Sequence, residues 1–142
     1  MKAGGRLLRW AGAVLIALGA GHLSLLLLMS WDGVAGWARR GLWAAVPLTF
    51  DTGGQPASAI RDTLVFWAGP GSFAVPLILL GALIWRLAGR GTPVPAWLGW
   101  ALAAWCALGG VLLVPSPYFA GSAAGLLVVL AARRRPDMSD RS

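Results

Sequence analysis

The sequence predicts an all-α protein, a four-transmembrane-helix antiparallel bundle, and three observations predict it. Residues 91–132 are 42 positions without one charged side chain, broken near the middle by Pro115-Ser116-Pro117, which cannot continue a helix. That pattern reads as two membrane spans joined by a tight hairpin. Two further uncharged runs, 10–31 and 63–85, are each long enough, at about 1.5 Å of rise per residue, to cross a hydrocarbon core about 30 Å thick. The composition agrees with a membrane domain: of 142 residues 58% are hydrophobic and only 12% charged, where soluble domains carry roughly a quarter charged.

Taken in chain order, the first span covers about residues 7–30, an Ala-, Gly- and Leu-rich run flanked by Lys2, Arg6 and Arg9. An outer loop follows at 31–61. Within it residues 34–46 set Val34, Trp37, Leu42 and Ala45 on one side with Arg39 and Arg40 available to headgroups, as in a short interfacial helix. Residues 49–57, with Asp51, Gly53-Gly54 and Pro56, read as an irregular loop. The second span covers about 62–86 and opens on Asp62, whose charge suits a helix N-terminus. The third covers about 95–114. The fourth, about 117–133, is short, and snorkelling of the Arg133, Arg134 and Arg135 stems lengthens its reach. Residues 1–132 thus form one membrane domain, and 133–142 a polar cytoplasmic tail expected to be disordered.

Orientation follows from the basic residues. Lys2, Arg6, Arg9, Arg86, Arg90, Arg133, Arg134, Arg135 and Arg141 fall on one side, while Arg39, Arg40 and Arg61 on the other are offset by Asp32, Asp51 and Asp62. The positive-inside rule places both termini in the cytoplasm and the chain in a cell inner membrane as a multi-pass protein. A net charge of +7 could point to nucleic acid, but these charges flank apolar spans and are not spread over a water-facing surface, so no nucleic-acid partner is expected. The competing reading of the N-terminus is a secretory signal peptide cut near Ala17-Leu18-Gly19; the apolar run continues past that point to Met29, which favours a retained span.

In lipid, helices associate through small residues that let backbones approach. Ala13, Ala17 and Gly21 form such a ridge in the first span, Gly99, Ala103 and Ala107 in the third, and Gly121 with Gly125 a GxxxG pair in the fourth. These ridges suit packing within the bundle, with a homodimer face as the alternative. Trp10, Trp31, Trp67, Trp85 and Trp97 sit near span ends, where indole rings anchor at the interface.

Candidate chemistry is sparse. His22, halfway along the first span, is the one titratable group expected at membrane depth, where such groups normally face a bundle interior or a cavity. It reads either as a proton-transfer or ligand group, or as a neutral imidazole bonded to a backbone carbonyl or to the hydroxyl of Ser72 or Ser122. The 66–76 segment places Pro70 and Pro76 beside Gly69 and Gly71, so a kink or break is expected there, and freed carbonyls could line a pocket. The candidate pocket is therefore His22, Trp67, Pro70, Ser72 and Pro76. One histidine, one cysteine and no membrane-depth carboxylate cannot supply a catalytic metal's ligands, and no cofactor is expected. Cys106, among Ala103, Ala104, Trp105 and Leu108, reads as a small core residue.

The Gly19-Ala20-Gly21-His22 segment, the Trp-rich loop from Trp31 to Trp43, the Phe66-Trp67 segment through Gly71-Ser72-Phe73-Ala74-Val75-Pro76 to Leu80, and Val94-Pro95-Ala96-Trp97-Leu98-Gly99-Trp100 together resemble a family of small bacterial four-span membrane proteins classed as a domain of unknown function. The resemblance runs from about Leu7 to about Ala132. It implies the four-span topology and assigns no functional residue. The functional expectation is an integral membrane protein that is not an enzyme, an accessory or small-molecule-binding component whose partners are the lipid bilayer and a second copy or another membrane protein. The alternative is a membrane enzyme or transporter of a lipid-soluble substrate, with His22 as proton donor or acceptor.

Overall fold

The computed structural model describes residues 3–40, 56–112 and 117–134; the side chains of Ala38 and Arg40 are not among them. The expected continuation of the surface helix to Val46, the loop at Gly53-Gly54, the Pro115-Ser116 part of the hairpin and the tail from 135 onward lie outside the described residues. Among those residues the protein is all-α, with six helices and no strand: α1 (Ala3–Met29), α2 (Trp31–Arg40), α3 (Ala57–Ala68), α4 (Ala74–Gly89), α5 (Ala96–Leu112) and α6 (Tyr118–Arg133).

Helix boundaries follow local chemistry. Ser30 closes α1 by donating its N–H to Leu26 O (2.8 Å), and its own carbonyl then accepts the Gly33 N–H (3.0 Å) to start α2. Proline precedes three helices. Its fixed φ suits a helix start, and the carbonyls of Pro56, Pro95 and Pro117 accept the first bonds of α3, α5 and α6 from Ala59 (2.9 Å), Leu98 (3.2 Å) and Ala120 (3.0 Å). After α4, Gly91 takes φ +67°, and the Thr92 N–H reaches back to Leu87 O (3.0 Å), a left-handed stop that only glycine adopts without strain.

The segment expected to form the second span, 62–86, holds two helices, with the expected break falling within 66–76. The chain leaves α3 at Ala68 and re-enters a helix at Ala74. Pro70 has no N–H to offer Phe66 O, and Pro76 none to offer Ser72 O, so neither position can continue an α-helical ladder from before the turn. The N–H groups of Gly69 (3.1 Å) and Gly71 (2.9 Å) take over the Phe66 carbonyl. Asp62, expected at a helix start, lies in the second turn of α3 and is buried, 4% exposed. The helix it complements is α2: a Cβ on Gly33, in α2's first turn, would stand 3.7 Å from Asp62 Oδ1.

The chain divides into two compact units. One contains the chain up to Leu18 and from Leu77 onward. Here the first half of α1, α4, α5 and α6 share a core of Leu8, Ala11 and Leu15, Leu77 and Ile84, Leu102 and Cys106, and Ala124, Val128 and Ala131, with Val94 from the α4–α5 link. α5 and α6 pack as a close pair. A Cβ on Gly125 would fall 2.6 Å from both Ala103 N and Gly99 O, so Gly125 of the GxxxG pair of α6 meets the Gly99-Ala103 ridge of α5 within one chain, while Gly121 meets Cys106. Ser122 Oγ adds a bond to Ala103 O (3.1 Å), and the Arg133 guanidinium lies 5.9 Å from the Trp100 ring centroid. α1 meets α4 at Gly12 and Gly81, where a Cβ on either would come within 2.8 Å of the other's carbonyl oxygen. The contact ridge of α1 therefore differs from the expected Ala13-Ala17-Gly21: Ala17 and Gly21 are exposed, and a Cβ on Gly21 would meet nothing within 4 Å. With small residues on several faces of α1, their spacing alone could not select the packed face.

The other unit, Gly19–Pro76, holds the second half of α1, α2, α3 and the break after α3. α2 packs on α3 through buried Gly33 and Gly36, with Trp37 set edge-on to Phe66 at 5.9 Å between centroids.

Candidate functional site

All five residues of the candidate pocket fall in the second unit, around the end of α3. A helix ends with four carbonyls that lack intrahelical partners. At the α3 terminus one of them, Ala68 O, accepts a bond from His22 Nε2 at 2.7 Å. Because a carbonyl can only accept, Nε2 carries the proton in this arrangement. One turn further along α1, Leu26 lies against Gly69, where an added Cβ would collide with Leu26 Cδ2. His22 and Leu26, four residues apart and so on one face of α1, together seat the end of α3.

The remaining candidates do not converge on the imidazole. Ser72 turns inward on the break itself: its hydroxyl donates to Gly69 O (2.6 Å) and accepts the Ala74 N–H (3.2 Å), capping the start of α4. Trp67 is exposed and stands edge-on to Phe66 at 5.4 Å, and Pro70 and Pro76 are exposed as well. Ser122, the other hydroxyl considered for His22, bonds Ala103 O. The His22 ring itself is exposed, and its described partner is a backbone carbonyl. Cys106 is 1% exposed and packs against Gly121, where an added Cβ would sit 2.6 Å from its sulfur. No group of three or more His, Cys, Asp or Glu side chains able to hold a metal occurs among the described residues.

A cleft of about 700 Å³ lies instead between α2 and α3, with Asp32, Arg39, Arg61 and Asp62 among its lining residues. Sequence reasoning used these four as charges to balance across the membrane, with Arg39 also facing headgroups and Asp62 also at a helix N-terminus, and did not bring them together in one cleft. The signal that could have found them is the seven-residue spacing of Asp32 and Arg39, two helical turns on one face, with Gly33 and Gly36 beside them.

Among the described residues one helix is long and apolar enough to cross a membrane: α1, with 27 residues and mean hydropathy 2.1 over its most apolar window, only 17% of which is buried. It lies near the N-terminus, where a signal sequence has the same length and composition. α4, α5 and α6 are apolar but shorter, 16, 17 and 16 residues. Together these features define an all-α protein with one N-terminal apolar helix of membrane-span or signal-sequence character. The chain belongs to a family of unknown function, DUF6463, whose model matches residues 6–136. No curated protein and no solved structure matches the chain.

Proposed function

We propose that the protein is a four-span component of a bacterial inner membrane with both termini in the cytoplasm, and that it acts as an accessory or small-molecule-binding subunit without catalysing a reaction. The observation that carries this reading is the outer surface. Among the described residues, more large apolar side chains are exposed than buried, including Leu79 and Leu83 on α4, Leu108 and Val111 on α5, and Leu126 and Leu130 on α6. Water disfavours such continuous apolar area, while hydrocarbon accepts it at no cost. The spans are then α1, the segment from the second half of α3 through α4, α5, and α6. The last two are about 24–26 Å long, short of a 30 Å core, and Trp97, Trp100 and Arg133 near their ends suit adjustment at the interface. Retention of the N-terminal helix is supported by the core, because Leu8, Ala11 and Leu15 would leave it if the segment were cleaved near Gly19.

The test uses the single cysteine. In a Cys106→Ala background, Ser58→Cys should react with an impermeant maleimide on spheroplasts, and Thr92→Cys only after lysis. Labelling of Thr92→Cys from outside would overturn the orientation, and a mature chain beginning after residue 19 would overturn the four-span reading.

A further inference from the structure

The unit formed by the chain up to Leu18 and from Leu77 onward carries six arginines and no carboxylate among its described residues. Small residues bring these cations to one end of it. A Cβ on Gly4 would stand 3.3 Å from Ala131 O near the end of α6, and one on Gly5 3.9 Å from Ala88 O near the end of α4, so the start of α1 lies against both helix ends. Three of the arginines gather where α1 meets α4. Arg86 lies in the last turn of α4, and Arg90 keeps the helical register because its N–H still bonds Arg86 O (3.1 Å). Arg9 falls four residues after Gly5 and three before Gly12, on the face of α1 that packs on α4, and a Cβ on Gly89 would stand 4.0 Å from its Nη2. Its Nε is buried with no hydrogen-bond partner among the described residues. The C-terminus of α4 offers these cations only about half a negative charge, and Arg86 and Arg90, four residues apart, repel each other. The exposed face of α4 also continues as hydrocarbon. Leu79, Leu83, Arg86 and Arg90, all exposed, follow one another at spacings of four, three and four residues, which keeps them within about 60° of one another around the axis.

We propose that this stripe of α4, with Arg9 beside it, binds a phospholipid of net negative charge, its phosphate held by Arg86, Arg90 and Arg9 and an acyl chain lying along Leu83 and Leu79. Charge selects the headgroup. An ammonium-bearing headgroup would bring a further cation to three arginines, with no carboxylate among the unit's described residues to receive it. Phosphatidylglycerol gives the guanidiniums its phosphate and leaves only hydroxyls over. The Cα atoms of Arg86 and Arg90 lie about 6 Å apart along the axis, close enough for both side chains to meet on one phosphate and exchange their repulsion for two charge-assisted pairs. The leucines select an amphiphile over a free phosphate: from Arg86 back to Leu79 the stripe runs about 10 Å, apolar area that a soluble diester would leave uncovered. Trp10 and Trp85, each exposed and next in sequence to Arg9 and Arg86, suit the headgroup level of a bilayer. Arginines between helices at that level are a recurrent seat for anionic headgroups. The site rests on the membrane reading of α4 and not on the side of the membrane that this end of the helix faces.

The full chain, purified in mild detergent, is offered equal amounts of phosphatidylglycerol and phosphatidylethanolamine, and native mass spectrometry reads which it retains. Wild type should keep phosphatidylglycerol about tenfold over phosphatidylethanolamine, and Arg86→Gln combined with Arg90→Gln should abolish that preference. Arg133→Gln combined with Arg134→Gln removes the same charge from the same end of the unit and should leave the preference intact. All four positions are exposed, so the core is untouched, and far-UV circular dichroism checks the fold. Arg9→Gln should weaken phosphatidylglycerol retention about tenfold, the effect of one charge-assisted pair. Calorimetry with free glycerophosphoglycerol should show no binding. Equal losses from the two double variants would reduce the effect to net charge and overturn the site, as would equal retention of both lipids by wild type. Binding of the free diester with the same variant pattern would overturn the lipid in favour of a soluble phosphodiester. The topology fails separately: labelling of Thr92→Cys from outside beside an intact preference would overturn the orientation and leave the site standing, while the expected labelling beside no preference would overturn the site alone.

Discussion

Replacing Gly125 by alanine tests whether α5 and α6 are held by direct backbone approach. The added Cβ would lie 2.6 Å from Ala103 N and from Gly99 O and 2.9 Å from Ala103 Cβ, while ordinary contact begins near 3.4 Å. Two of the three obstacles are backbone atoms, which no rotamer change can move, so the helices must part by about 0.8 Å at the crossing. A gap of that size forfeits a quarter to a half of each dispersion contact along the seam, and small-to-large changes in packed interiors typically cost about 1–3 kcal/mol. Alanine recovers about 0.5–1 kcal/mol of helix propensity, leaving a net loss of up to about 2.5 kcal/mol, centred on about 1 kcal/mol. Gly21→Ala is the matched control, since its Cβ meets nothing within 4 Å and only the propensity gain remains. Equilibrium unfolding in mixed detergent micelles, followed by circular dichroism, should place the two variants on opposite sides of wild type. Equal stability of Gly125→Ala and Gly21→Ala would refute the close-approach account.

Two further perturbations address the first helix. Leu15 is fully buried in the shared core, so Leu15→Ala should cost about 2–5 kcal/mol, whereas Leu28→Ala, at a position 78% exposed, should change stability in micelles by less than about 0.5 kcal/mol; comparable losses in the same unfolding assay would refute the assigned core. His22→Ala removes the donor on Ala68 O and should cost about 1–3 kcal/mol where water cannot replace it, read as faster amide hydrogen exchange in residues 65–72, and unchanged exchange there would show that the bond does not hold the α3 terminus.

The helical class was legible because apolar run length and proline placement act locally: Pro95 and Pro117 mark the starts of α5 and α6, and the apolar stretch from Trp10 marks most of α1. The Gly99-Ala103 ridge and the Gly121-Gly125 pair were legible for a related reason, since i, i+4 spacing fixes a shared face whatever the partner. The α1 ridge was not legible. Gly12 is one position before Ala13, and choosing between them requires knowing where Gly81 comes to rest, which depends on the tertiary path of α4. Asp62 failed for the same reason. Its charge does complement a helix N-terminus, but that of α2, thirty residues earlier in the chain. The break between α3 and α4, by contrast, was legible: hydropathy runs continuously through residues 63–85, but Pro70 and Pro76 beside Gly69 and Gly71 mark the interruption.

That separation bears on what His22 can do. A break in an apolar segment leaves carbonyls with no ladder partner, and each one left unsatisfied away from water costs free energy comparable to a lost hydrogen bond. The turn satisfies most of its own groups, through Gly69 and Gly71 on Phe66 O and through Ser72 on Gly69 O and Ala74 N. Ala68 O is satisfied from outside the turn, by the Nε2 proton of His22. A group that donates its proton to a substrate must release it, and Nε2 could do so only by giving up the bond that seats α3. Proton transfer at the other ring nitrogen would leave that bond in place. The two roles therefore separate experimentally by nitrogen: a structural role ties the Nε2-protonated form to an ordered α3 terminus, visible in the imidazole 15N shifts, while a proton-transfer role requires Nδ1 to exchange with substrate on the timescale of turnover.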